Sequence, residues 1–166
     1  MNETIRVTKI FVFDMAHALF GYDGPCKNIH GHTYKLSVTL MGTPIIDNNS
    51  PKAGMVIDFS ALKEIVHEKI IRKFDHALVL NNNSPHKLLD TVLTQQFEKI
   101  IYLDLQPTCE NLLLHFKNQL ASYFTDKIKL VYLKLEETPT SYSEWCIQKI
   151  TMSIFYKMDL CYSNTA

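Results

Sequence analysis

Three histidines and one cysteine fall within a short stretch of the chain: His17, Cys26, His30 and His32. Only Gly31 separates His30 from His32, so on an extended strand both rings project to the same side. Gly31 also lets the backbone come close to whatever the rings hold. A third ring from His17 completes a three-nitrogen face. That is a donor set of catalytic zinc, where three protein ligands leave a fourth position for water or substrate. Cys26, four residues before His30, is either a fourth ligand or a nucleophile or base beside the metal. A single His on an apolar face is more often a hydrogen-bonded core residue than a ligand. His67, His86 and His115 have no such company and are read that way.

The elements around the cluster are those a rigid site requires. Residues 5–13 are rich in β-branched and aromatic side chains and read as a first strand, which Asp14-Met15-Ala16 carries on to His17. Residues 18–29 hold Gly21, Asp23-Gly24-Pro25 and Asn28, which is loop chemistry. That loop must fold back to bring His17 to His30. Residues 33–41 alternate, with Tyr34, Leu36, Val38 and Leu40 on one face and Lys35, Ser37 and Thr39 on the other. His30 and His32 enter this strand on the parity of the apolar set.

Beyond a polar turn region at 42–54, Asp58 or Ser60 caps a helix. Its stripe is Phe59, Leu62, Ile65, Val66 and Ile70, and it runs to about Lys73. Asp75-His76 follows. A carboxylate beside an imidazole can hold it in one tautomer and improve it as an acid–base group; the plainer reading is a polar turn ending the helix. Residues 81–87 form a loop, and Leu88, Leu89, Val92, Phe97 and Ile100 suggest a short helix. Thr108 caps a second long helix with Glu110 in its first turn. Leu112, Leu113, Phe116, Leu120, Tyr123 and Phe124 form its apolar face. Residues 128–136 read as a third strand, 136–144 as a turn and 145–150 as a fourth strand. Residues 151–166 form a C-terminal extension to a single domain over 1–150.

This order places strands at both ends and helices between them. It implies an α+β domain: a four-stranded antiparallel sheet with two main helices on one face. The open face and the sheet edges would then close against copies of the same chain. The 166 residues suffice for one domain burying about 70% of its unfolded surface. The formal net charge is zero and no Lys/Arg run is present, so nucleic acid is not an expected partner. No apolar run approaches a membrane span, and the first residues lack a basic-then-apolar leader. With four scattered Cys and no C-x-x-C pair, the expectation is a cytoplasmic protein with free thiols.

Six motifs then agree in order: Met15-Ala16-His17; Cys26-x3-His30-Gly31-His32-x-Tyr34; Gly54-Met55-Val56-Ile57-Asp58-Phe59; Asp75-His76; Pro107-Thr108-x-Glu110-Asn111; and Glu137-Thr138-Pro139-Thr140-Ser141-Tyr142. Over about residues 5–149 the chain resembles the 6-pyruvoyl-tetrahydropterin synthase / 6-carboxy-tetrahydropterin synthase family. The resemblance implies the tunnelling fold, with sheets joined between subunits into a barrel and a homohexamer built as a dimer of trimers. It implies Zn2+ on His17, His30 and His32, a catalytic thiol at Cys26, and a catalytic pair at Asp75 and His76. Glu137 would anchor the pterin ring, and Thr108 and Glu110 would lie near the pterin pocket. The implied substrate is 7,8-dihydroneopterin triphosphate.

In that chemistry, zinc would acidify the substrate's side-chain hydroxyls. Cys26, as thiolate, would take a proton, and His76 would shuttle protons under Asp75. The three-residue gap between Cys26 and His30, and the turn after Glu137, resemble the bacterial carboxy synthases of the queuosine route. Those release triphosphate and acetaldehyde. A pyruvoyl synthase, which only eliminates triphosphate, and a pterin-binding module without activity are the alternatives.

Overall fold

The computed structural model describes residues 3–125 and 127–147. Strand β1 (Ile5–His17) and strand β2 (His30–Gly42) form the central antiparallel pair, in register from Ile5↔Gly42 to His17↔His30. Helix α1 (Phe59–Val66) continues through a π-helical turn, His67–Ile71, into a last turn at Arg72–Phe74. Asp58 is its cap: the carboxylate accepts from the Ser60 N–H at 2.8 Å. Next come β3 (Ala77–Asn81), a 3-10 turn at Pro85–Leu89, α2 (Asp90–Gln96) and β4 (Ile100–Leu103). Helix α3 (Cys109–Ala121) and the hairpin of β5 (Ile128–Thr138) and β6 (Ser141–Cys146) complete the described chain.

The sheet has six strands in the order β4-β3-β1-β2-β5-β6, not the four antiparallel ones expected. β3 and β4 were missed, and both pair in parallel, β3 on β1 and β4 on β3. A parallel neighbour needs a crossover, and the segment 82–99 with α2 supplies it. Ala77–Asn81 is too short and too continuously apolar to alternate, and Ile100 sits at helical spacing from Phe97. Both strands were therefore hidden from periodicity. The short helix was expected, and it is present as α2, but Phe97 and Ile100 lie beyond its end.

The last hairpin is tighter than expected. Glu136 pairs with Tyr142 and Thr138 with Ser141, so the turn is only Pro139-Thr140. Alternate polar residues of this hairpin lie on the sheet's outer face, where Glu136 meets Lys35 at 3.5 Å and Lys134 at 3.4 Å, and they look like loop in sequence. Residues 148–150 of the expected fourth strand, and the 151–166 extension, lie outside the described residues.

α1 and α3 cover one face of the sheet. Leu62, Val66, Ile70, Phe74, Leu112, Phe116 and Leu120 pack on Phe13, Tyr34, Leu36, Val38, Leu133 and Leu135. On the other face of β1, Ile10 is 52% and Val12 61% exposed. Among the described residues, β4 and β6 are the outermost strands of the sheet. Leu133 is fully buried in the middle of the core. Leu133→Ala should cost about 2–5 kcal/mol of stability, measured by urea unfolding; a loss below about 0.5 kcal/mol would place that strand outside the core.

Candidate metal centre and active site

His17 ends β1 and His30 begins β2, and the two are direct cross-strand partners. His32 lies two residues on, on the same face. The antiparallel ladder alone therefore brings the three rings to one rim of the sheet. A Cβ on Gly31 would come 3.3 Å from the Met15 carbonyl, so glycine permits the close approach of β2 to β1 between the two ligands.

Hydrogen bonds fix which nitrogens are free. His17 Nδ1 lies 2.7 Å from the Pro107 carbonyl and His30 Nδ1 lies 2.8 Å from the Asn28 carbonyl. A carbonyl can only accept, so each Nδ1 carries the proton and each Nε2 presents a lone pair. Those two Nε2 atoms face each other at 3.2 Å. Two lone pairs at that distance repel unless something is bound between them. Around a tetrahedral zinc with bonds of 2.0–2.1 Å, neighbouring nitrogens are about 3.3–3.4 Å apart. The donor atoms of His17, His30 and His32 all lie within 4.8 Å of one another, and this is the metal-competent cluster among the described residues.

The electrostatics suit a cation. Burial lowers the pKa of His17 and of His32, and each lowers further beside its neighbouring imidazoles, against the pull of Glu137. Neutral imidazoles are what a metal requires. Glu137 Oε1 lies 3.5 Å from His17 Nε2 and 3.8 Å from His32 Nε2. Tyr34 holds it there, its hydroxyl donating to Oε1 at 2.9 Å. Burial first, then the Glu137 charge, pushes the Tyr34 phenol far above its usual value, so it stays a donor. Tyr34 reads in sequence as core. The signal that could have shown more is its hydroxyl, since a buried Tyr needs a polar partner.

Cys26 sits on the 3-10 turn Pro25–Lys27, half-buried. Asp75 and His76 form a pair, with His76 Nδ1 2.9 Å from Asp75 Oδ1. Both are clipped to the Asp14 backbone: the Asp14 N–H donates to Asp75 Oδ1 at 3.1 Å and the His76 N–H to the Asp14 carbonyl at 2.6 Å. His76 has φ of 59°, a left-handed conformation that costs about 1–3 kcal/mol. The clips hold it there, with the side chain 75% exposed.

The His76 ring borders an open cleft of about 880 Å3 with His32, Asp14, Thr33 and Phe97; Cys26 does not line it. One chain thus gathers the three His with Glu137 and Tyr34. Thr108 is the N-cap of α3, its hydroxyl accepting from the Asn111 N–H at 3.3 Å, and Glu110 is exposed in the first turn.

The three-histidine cluster on the rim of this sheet marks an α+β protein with a site that could hold a metal ion. The family model described as 6-pyruvoyl tetrahydropterin synthase matches residues 6–146, and the chain belongs to that family. A relative from Haemophilus influenzae named 6-carboxy-5,6,7,8-tetrahydropterin synthase is 37% identical over 141 residues, spanning 84% of this chain and 97% of its own. The 6-pyruvoyl tetrahydrobiopterin synthase of Dictyostelium discoideum is 30% identical over 127 residues, spanning 70% of this chain and 90% of its own. The structure of Caenorhabditis elegans 6-pyruvoyl tetrahydropterin synthase shares the fold, with a TM-score of 0.61 at 22% identity over 88% of this chain and 97% of that one.

Folding lowers the proton affinity of His17 and His32. The unfolded chain takes up those protons as the pH falls past the ordinary imidazole value of 6.5, the folded chain only at lower pH. The metal-free protein should therefore hold this stability above that value and lose it on acidification. Urea unfolding at about pH 7.5 and about pH 5.5 should show the loss, and His17→Gln should reduce it. Equal pH dependence with and without His17 would contradict a neutral buried imidazole.

Proposed function

We propose that the chain is a zinc-dependent carbon–carbon lyase acting on 7,8-dihydroneopterin triphosphate. Its products are 6-carboxy-5,6,7,8-tetrahydropterin, acetaldehyde and triphosphate, on the route to queuosine. The observation that carries the reading is the pair of Nε2 lone pairs facing each other at 3.2 Å. The name of the Haemophilus relative and the three residues between Cys26 and His30 support the carboxy product. Free thiols at Cys26 and Cys109 suit a reducing, cytoplasmic setting.

His17, His30 and His32 would hold the ion, which supplies Lewis acidity to the substrate's side-chain hydroxyls. Cys26 takes the proton released from the adjacent side-chain carbon. His76, oriented by the Asp75 carboxylate, returns protons through its outward Nε2. Glu137 accepts from ring N–H donors with its Oε2, since Tyr34 already occupies Oε1. Thr108 and Glu110 at the start of α3 stand at the pterin pocket, Thr108 through the cap it makes.

In this reading the Asp75–His76 pair of one subunit serves the thiol of another, since the cleft that His76 borders does not include Cys26. The exposed Ile10 and Val12 face and the outermost strands β4 and β6 support a homo-oligomer, a hexamer in this reading.

Incubation with dihydroneopterin triphosphate and product mass analysis should give the carboxy product with acetaldehyde. The pyruvoyl product alone would move the chain to the other branch that the Dictyostelium relative names, and no product would refute the reading. Cys26→Ala and His76→Ala should each lower turnover by about 10²–10⁴-fold. Co-assembled Cys26→Ala and His76→Ala subunits should regain about a quarter of the sites if thiol and imidazole come from different copies. No recovery in confirmed mixed oligomers would place both groups in one chain.

A further inference from the structure

Gln106 immediately precedes the Pro107 carbonyl that fixes His17. Its side chain reaches the opposite way. Gln106 Nε2 donates to the Phe20 carbonyl at 2.6 Å, and its Oε1 accepts from Asn81 Nδ2 at 3.4 Å. The Phe20 carbonyl can only accept, so the amide orientation is set. The Gln106 backbone is itself pinned, its carbonyl accepting from the Thr108 N–H at 2.8 Å and from Asn111 Nδ2 at 2.9 Å.

Phe20 belongs to the loop that carries Cys26. That loop closes on itself where the Leu19 N–H donates to the Cys26 carbonyl at 2.9 Å. Among the described residues, the Gln106 bond is the one hydrogen bond running from residues 18–28 to any part of the chain beyond His30. Two consecutive residues thus hold two different parts of the site: Pro107 orients a metal-facing imidazole, and Gln106 fastens the thiol-bearing loop.

We infer that Gln106 is a positioning residue for Cys26, fixing the thiol relative to the Nε2 atoms of the histidine cluster. The inference deepens the proposed function and rests on its placing Cys26 at the reacting centre. The tether acts on the loop and leaves the ligands alone, because the His17 bond is made by the Pro107 backbone. It depends on a donor at the end of a long side chain, which the sequence marks only as a polar residue before Pro107.

Two full-length variants separate the donor from its packing. Gln106→Met keeps the length without the donor. Gln106→Glu keeps the shape but sets an acceptor against the Phe20 carbonyl. Cys26 alkylation by iodoacetamide is followed by peptide mass mapping with the buried Cys109 as internal reference, alongside metal content and turnover of dihydroneopterin triphosphate. Both variants should alkylate Cys26 about fivefold faster or more, the weight of one hydrogen bond. Turnover should fall by a similar factor with KM little changed, metal content should match the parent, and Glu should be at least as impaired as Met.

Parent rates of alkylation in both variants, or a Glu variant that behaves as the parent, would overturn the inference. So would a loss of metal in step with the change at Cys26, which would mean general collapse of the site. If the parent protein turns over no pterin while the variants still free Cys26, the proposed function fails and the role of Gln106 stands.

Discussion

The structure depends on two backbone carbonyls. Pro107 and Asn28 each take the Nδ1 proton of a histidine, and so leave His17 and His30 with their Nε2 lone pairs pointed at each other. Neither imidazole can relieve the repulsion by changing tautomer without giving up its carbonyl. Burial of His17 and His32 disfavours the other relief, protonation. The arrangement suits a cation held between the rings. The ladder between β1 and β2 makes this geometry a property of strand register, since His17 and His30 are cross-strand partners. A slip of one residue would turn the set to the other face.

The remaining polar groups are arranged around that centre at different depths. Glu137 is held against it by Tyr34, whose phenol is kept protonated by burial and by the carboxylate it serves. Cys26 sits on the loop between β1 and β2. The Asp75–His76 pair faces outward, on the left-handed residue that opens β3, and its strain is held by two bonds to Asp14. A strained and exposed catalytic-type pair makes sense where a second surface comes to meet it. The other face of β1 leaves Ile10 and Val12 exposed.

Much of this was legible in the sequence because it follows from local rules. Strand parity put His30 and His32 on one side. The caps at Asp58 and Thr108 are where their side-chain chemistry predicts, and α1 and α3 follow their apolar stripes. The parallel strands β3 and β4 are not legible: four apolar residues after His76 and four after Lys99 carry no period that separates strand from helix. The polar hairpin was read too loosely because its outward residues resemble a turn. Backbone acceptors leave no trace in residue types, so the roles of Pro107 and Asn28 emerge only in three dimensions.

The claim beneath all of this is that the three Nε2 atoms share one ion. X-ray absorption at the zinc edge, on purified protein loaded with one equivalent of zinc, tests it most directly. The account predicts three imidazole nitrogens at about 2.0–2.1 Å and a fourth, light-atom ligand. A sulfur-dominated shell near about 2.3 Å, or zinc that washes away without binding, would contradict it.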